Sequence, residues 1–519
     1  MNRVHLSALI VAAFLSVSLT HGIAAVAPNA EYNLRFDPGK FTVKSLALNG
    51  KTISFRAYEN IVYVKNPVDP RFQSMNIYVP AEYSEGKPIG AYTADTAPIF
   101  LPNTVGGYMP GPAGSPGQGF DGGPNAALVA LSQGYVVAEP GVRGRTNVDE
   151  AGRYTGKAPA CIVDLKAAVR YLRLNEKAMP GNAQKIISNG TSAGGALSVL
   201  LGATGNNADY EPYLKALGAA EAPDDIFAVS AYCPISNLDY ADMAYEWLFN
   251  GINDFSKPVF RGPPPSAGPG PGPGVMGAPD AAGAMPPGSP GKLPTATGSM
   301  TPDQVKNSAL LKALFPAYLN SLELKKLDGS ALSLDANGTG SFKDYVKSFV
   351  IASAQKALGG GADLSSLGWI TIKDGIVTDI DFDQYVKYAT RMKVTPAFDG
   401  LDLGTGENDL FGTATVKAQH FTPFGKDHST AGGALAQVPI VKMMNPMNYI
   451  GTTGTSVAPY WRIRHGTADR DTSLAIPVIL ATKLANCGYN VDFALPWARP
   501  HSGDYDLDEL FAWMAQVCR

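Results

Sequence analysis

Short apolar runs, each closed by Gly, Pro, Asn or Ser, open the informative part of the chain. "ENIVYVK" (59–65), "SMNIYVPA" (74–81) and "APIFLP" (97–102) carry β-branched and aromatic residues in strand-like runs. "NAALVALSQ" then reads as a helix and "GYVVAEPG" as a strand running into a loop. "CIVDLKAAVRYLRLNE" has its apolar residues at helical spacing, and "KIISNG" runs straight into "TSAGGALSVLLGATG". Strands alternating with helices predict an α/β fold with a mostly parallel sheet covered on both faces.

The alternation stops near Ser236. From 237 to 444 the pattern is irregular and mainly helical, as in "DQVKNSALLKALFPAYLNSLELKKL". Within it, residues 261–293 are too rich in Pro and Gly to bury a core and read as a disordered or extended segment. The strand–helix rhythm returns with "YWRIRHG", a loop, a helix, "NVDFALPW", the loop "ARPHSGDYD" and a last helix. The expected organisation is one sheet built from 28–236 and 445–519, interrupted by a large, mainly helical lid insertion.

Composition narrows the function classes. The 519 residues are 45% hydrophobic, with 42 Lys+Arg against 45 Asp+Glu and a net charge of −3. Such a balance gives no electrostatic reason to expect nucleic acid or an anionic membrane as partner. Arg3 precedes the apolar run "ALIVAAFLSVSL" and the small-residue stretch "GIAAVA", so residues 1–27 read as a cleaved signal peptide and predict a secreted or periplasmic protein. No other segment is apolar for long enough to span a bilayer. The four cysteines, Cys161, Cys233, Cys487 and Cys518, share no CxxC spacing, which speaks against zinc. Export permits a bridge from Cys518 in the last helix to Cys487 in its neighbour; buried free thiols are the equal alternative.

The candidate chemistry begins at "NGTSAGG". Gly190, Ser192 and Gly194 form a Gly-x-Ser-x-Gly motif between a β-branched run and a helical pattern. A serine on a sharp strand-to-helix turn stands clear of the sheet, small neighbours relieve crowding, and the helix N-terminus favours negative charge. A serine hydroxyl needs a base, and beyond the leader the chain holds only His420, His428, His465 and His501. In this fold the order is serine, acid, histidine, and only His501 follows the candidate acids, in the loop after the last strand. His420 and His428 fall in the insertion, and His465 reads as a packing or loop-supporting residue. "HGTADRDTS" offers two acids, Asp469 and Asp471, at a spacing that leaves room for one helix and one strand before His501. Spacing alone leaves either one as the histidine's partner, and the other as a candidate helix N-cap. Ala193 and either Gly106 or Gly107 are positioned to supply the backbone donors an oxyanion needs. The Gly/Pro-rich loop that holds the two glycines lacks the Gly-Lys-Ser/Thr ending of a phosphate loop.

On these residues the chain resembles the bacterial tannases of the α/β-hydrolase fold, which cleave galloyl esters. The resemblance rests on "NIYVP", "NTVGGYMPG", "NGTSAGGALS", "RMKVTPAFDGLDLGTGEND", "HGTADRDTS" and "RPHSGDYD", and covers most of the mature chain apart from 261–293. It implies a triad of Ser192, Asp469 and His501, oxyanion donors at Gly106 and Ala193, and Lys393, Glu407 and Asp471 on the three hydroxyls of the galloyl ring. Fungal-type tannases and feruloyl esterases instead place cysteine before both Ser and His, where this chain has Thr191 and Pro500. Carboxylates suit a ring with three adjacent phenols because charge-assisted hydrogen bonds are about twice as strong as neutral ones. No metal or cofactor is implied. A broader carboxylesterase acting on feruloyl or acetyl groups, and a catalytically inactive hydrolase-fold binding protein, are the alternative readings.

Overall fold

The structure is a computed structural model that describes residues 32–119, 122–258 and 295–519. The expected leader and the Pro/Gly-rich stretch 261–293 lie outside the described residues. The main sheet begins with β1 (Thr42–Leu48), β2 (Lys51–Val62), β3 (Ser74–Pro80), β4 (Pro98–Pro102), β5 (Val136–Pro140), β6 (Asn182–Thr191) and β7 (Ala228–Tyr232). Two two-stranded antiparallel sheets lie outside it, β8 (Asp254–Pro258) with β9 (Thr295–Ser299) and β10 (Ile370–Lys373) with β11 (Ile376–Ile380). β12 (Tyr460–Arg464) and β13 (Asn490–Ala494) complete the main sheet, whose order is β1-β2-β3-β5-β4-β6-β7-β12-β13.

β1, β2, β3 and β5 pair antiparallel; from β5 through β4, β6, β7 and β12 to β13 every pairing is parallel. The central strands read as near-continuous apolar runs because helices cover both faces, and β7 is buried at every position. Edge strand β1 is mostly exposed and carries Lys44, which discourages pairing with another sheet edge. The helix Ala193–Ala203 is buried along its whole length, and Gly202 permits the approach of Val229 and Trp461. Truncating a wholly buried residue such as Leu201 there would cost roughly 2–5 kcal/mol.

The chain leaves the sheet after β7 and rejoins it at Tyr460. The intervening segment includes helices Leu238–Phe249, Pro302–Ser321 and Ser341–Gly359 together with the two small sheets, so it is less purely helical than its sequence pattern predicts. The four cysteines are free thiols; of the two considered for a bridge, Cys518 is buried and Cys487 exposed. No helix among the described residues is long and apolar enough to cross a membrane.

Candidate active site

Ser192 lies at the junction of β6 and the helix Ala193–Ala203, with φ +83° and ψ −111°. That conformation costs an L-residue on the order of 1–3 kcal/mol and persists because its surroundings hold it. The Ser192 N–H donates to the Tyr232 carbonyl at 3.0 Å, and its own carbonyl accepts from Ala196 at 2.8 Å. A Cβ at Gly195 would stand 2.6 Å from the Tyr232 oxygen, and one at Gly194 would stand 2.6 Å from Asn103. Close packing around the turn therefore requires both glycines.

The Ser192 hydroxyl lies 2.8 Å from His501 Nε2, and His501 Nδ1 lies 2.8 Å from Asp469 Oδ2. His501 sits in the loop after β13 and Asp469 in the loop after β12. Backbone bonds join the two loops, from Thr467 to the Pro496 carbonyl at 3.0 Å and from Ala468 to the Arg499 carbonyl at 3.0 Å. Burial would raise the Asp469 pKa, but His501 and then His465 outweigh it and hold the carboxyl at about 2. For His501 burial opposes the charged form, yet the Asp469 charge prevails and pushes the pKa well above the usual imidazole range. The geometry aims Nε2 at the Ser192 hydroxyl, and Asp469 stabilises the cation that forms when a proton reaches the ring.

The two aspartates have separate partners. Asp469 places Oδ2 against His501 and accepts the Asp471 N–H on Oδ1 at 2.8 Å. Asp471 Oδ2 lies 3.2 Å from Lys393 Nζ, while its buried Oδ1 has no hydrogen-bond partner among the described residues. Neither acid caps the following helix Ala475–Asn486, whose N-cap is Leu474. Burial works against the Lys393 charge, but Asp471 and Glu407 more than compensate and raise its pKa. Burial also raises the Glu407 carboxyl; Lys393 pulls it down and Asp471 pushes it up. Lys393, Glu407 and Asp471 therefore share one electrostatic neighbourhood, joined to the serine–histidine–aspartate relay through the Asp471 N–H.

Gly106 follows β4, and no hydrogen bond engages its N–H or that of Ala193 among the described residues. A Cβ on Gly106 would meet nothing within 4 Å, so the space beside it is open. Asn103 ties this loop to the nucleophile turn, donating to the carbonyls of Asn189 at 3.2 Å and Gly194 at 3.1 Å.

Several supporting residues escape sequence reasoning. The Tyr245 hydroxyl accepts from the N–H groups of Met392 and Lys393 at 3.2 and 3.1 Å and donates to the Arg470 carbonyl at 2.9 Å. It joins the lysine segment to the residue between the two aspartates. Arg145 donates to the Gly107 carbonyl at 2.9 Å and to Asp409 at 2.7 Å, linking the Gly106 loop to the helix Gly406–Leu410 that carries Glu407. His420 lies between Asp399 at 2.7 Å and Ser429 at 2.8 Å. Asp399 also accepts from Asn408 at 2.7 Å, so this buried cluster braces the same short helix. His465 is buried with both ring nitrogens lacking hydrogen-bond partners among the described residues, and burial lowers its pKa. No motif or spacing marks these supports, because most act on residues far away in sequence.

A mostly parallel sheet flanked by helices, with a serine on a strained strand-to-helix turn and a histidine after the last strand, defines an α/β-hydrolase. The family model described as BD-FAE matches residues 120–250. Among solved structures, the Fusobacterium nucleatum tannase is 51% identical, covering 94% of this chain and 100% of its own, with a TM-score of 0.88. The native tannin acyl hydrolase of Lactobacillus plantarum is 47% identical over 94% of this chain and 99% of its own, with a TM-score of 0.85. A tannin acyl hydrolase solved in complex with ethyl gallate is likewise 47% identical with the same coverage, at a TM-score of 0.84. No curated protein matches the chain. The chain belongs to the tannase family.

Proposed function

We propose that this chain is an exported serine esterase that hydrolyses the galloyl ester bonds of tannins and simple gallate esters through a galloyl-enzyme intermediate. His501 takes the Ser192 proton as the hydroxyl attacks the ester carbonyl, then protonates the leaving alcohol, then activates water for deacylation. Asp469 holds the imidazole's orientation, and the N–H groups of Gly106 and Ala193 receive the developing oxyanion. Lys393, Glu407 and Asp471 take the three ring hydroxyls.

The single observation that carries this reading is the buried Oδ1 of Asp471, which has no hydrogen-bond partner among the described residues and lies two residues beyond the relay's own carboxylate. A buried acceptor without a donor is costly, and a phenol hydroxyl supplies the missing bond. A site built to pair hydroxyls rejects analogues lacking them. The relative solved with ethyl gallate supports the choice of ring. Comparing methyl gallate with methyl benzoate tests it: a strong preference for gallate is expected, and equal turnover would leave a general carboxylesterase. Labelling of Ser192 by a fluorophosphonate is expected in folded protein; no labelling would favour an inactive binding module.

A further inference from the structure

Cys233 follows β7 and has no part in the reaction just described. Its N–H donates to the Arg464 carbonyl at 2.6 Å, fixing it between the ends of β7 and β12, and its thiol lies 3.2 Å from the Ser502 carbonyl. Its Sγ, a ring nitrogen of His501 and a carboxylate oxygen of Asp469 all lie within 4.8 Å of one another, and all three residues are buried. We propose that these three side chains form a capture site for a soft divalent cation such as Zn2+ or Cd2+, which switches the hydrolase off reversibly.

The donor set fits the ion. A tetrahedral metal holds sulfur at about 2.3 Å and nitrogen or oxygen at about 2.0–2.2 Å, so small side-chain shifts bring the three donors onto one centre. The thiolate favours Zn2+ and Cd2+ over Mg2+ and Ca2+, which prefer all-oxygen shells. Thiolate and carboxylate together match the dication's charge. On capture the thiol proton leaves to solvent, and bonds form from the metal to Sγ, to Nδ1 and to a carboxylate oxygen. The proton on Nδ1 moves to Nε2, which then donates and can no longer accept the Ser192 proton. A water completes the shell.

The loss of turnover rests on the reading of His501 as base; the binding itself does not. The test therefore has two arms, both in a full chain carrying Cys487→Ser, which removes the exposed thiol. In the first, Zn2+ at micromolar concentration is expected to suppress methyl gallate hydrolysis, a chelator to restore it, and Mg2+ to leave it unchanged. Cys233→Ala should retain basal turnover and need at least about tenfold more Zn2+ for half-inhibition. Cys233→Ser, nearly isosteric, provides the same comparison if the alanine variant folds poorly. In the second arm, Cd2+ binding is followed by thiolate charge-transfer absorption in Ser192→Ala. One equivalent should bind, and none when Cys233 is also replaced. Inhibition unchanged by either Cys233 substitution, or Cd2+ uptake without it, would overturn the proposal. Full turnover in Ser192→Ala would instead sink the triad while leaving the Cd2+ result to decide the metal site.

Discussion

At the scale of single residues, Asp469 and Asp471 differ in what their oxygens touch. Asp469→Asn should therefore lower kcat by about 10³–10⁴-fold on every ester, because the amide no longer fixes the imidazole tautomer, while gallate binding survives. Asp471→Ala should lose roughly 2–3 kcal/mol of transition-state stabilisation on gallate esters and far less on small activated acetates. Steady-state kinetics on both substrate types checks the pair, and identical profiles would mean the roles are misassigned. Tyr245→Phe removes three hydrogen bonds that hold Lys393 beside the aspartate loop. A higher KM for gallate with near-normal acetate turnover is expected, together with about 1–2 kcal/mol of lost stability. Ser192 and His501 are legible in the sequence because motif and chain order constrain them. Choosing between the aspartates needs the family resemblance. Tyr245 is not legible: it is one of 23 tyrosines, and its partners lie 147 to 225 positions away.

At the scale of elements, the apolar runs of β3, β4, β5 and β6 mark them in the sequence. β4, β5 and β6 lie in the parallel part of the sheet, covered on both faces, and β3, though antiparallel, is buried on both faces too. β1 and the hairpin β10–β11 escape notice for the opposite reason: their exposed residues give no run. Both carry a turn signal instead. Asn49–Gly50 have φ of +50° and +77°, and Asp374–Gly375 have +51° and +75°. Positive φ at both central residues is the two-residue turn that Asn-Gly and Asp-Gly favour. Arg145 couples two elements that no local pattern connects, the Gly106 loop and the Glu407 helix. Arg145→Lys keeps a charge near Asp409 but loses the fork that also reaches the Gly107 carbonyl. A fall of about tenfold in kcat on all esters, with KM for acetates unchanged, is expected if the arm positions the oxyanion donor. An effect confined to thermal stability would reduce Arg145 to a structural brace.

For the molecule as a whole, the division of the sheet between the two ends of the chain is readable from the strand rhythm. The antiparallel order β1-β2-β3-β5 is not, because β3 is buried on both faces and carries the same kind of apolar run as the parallel strands. Nor does the sequence hint at Glu139, a buried carboxyl on β5 whose pKa burial raises from 4.5 to about 8. Below pH 4.5 folded and unfolded chains both hold its proton. Above that the unfolded chain releases it first, so stability falls with rising pH, by at most about 1.4 kcal/mol per unit, until the folded group ionises near 8. Glu139→Gln should flatten this dependence and raise the melting temperature most around that upper pH, measured by thermal denaturation across the window from about 4.5 to 8. An unchanged slope would show that Glu139 is ionised in the fold.

The bond from the Asp471 N–H to the Asp469 carboxylate has an evolutionary corollary. On the proposed reading one short peptide segment serves both the proton relay and the acyl pocket, so inserting or deleting a residue there is expected to disturb both together. Descendants that adapt to other aromatic acids are expected to diversify at the 393 and 407 segments, leaving the length of the 469–471 loop intact.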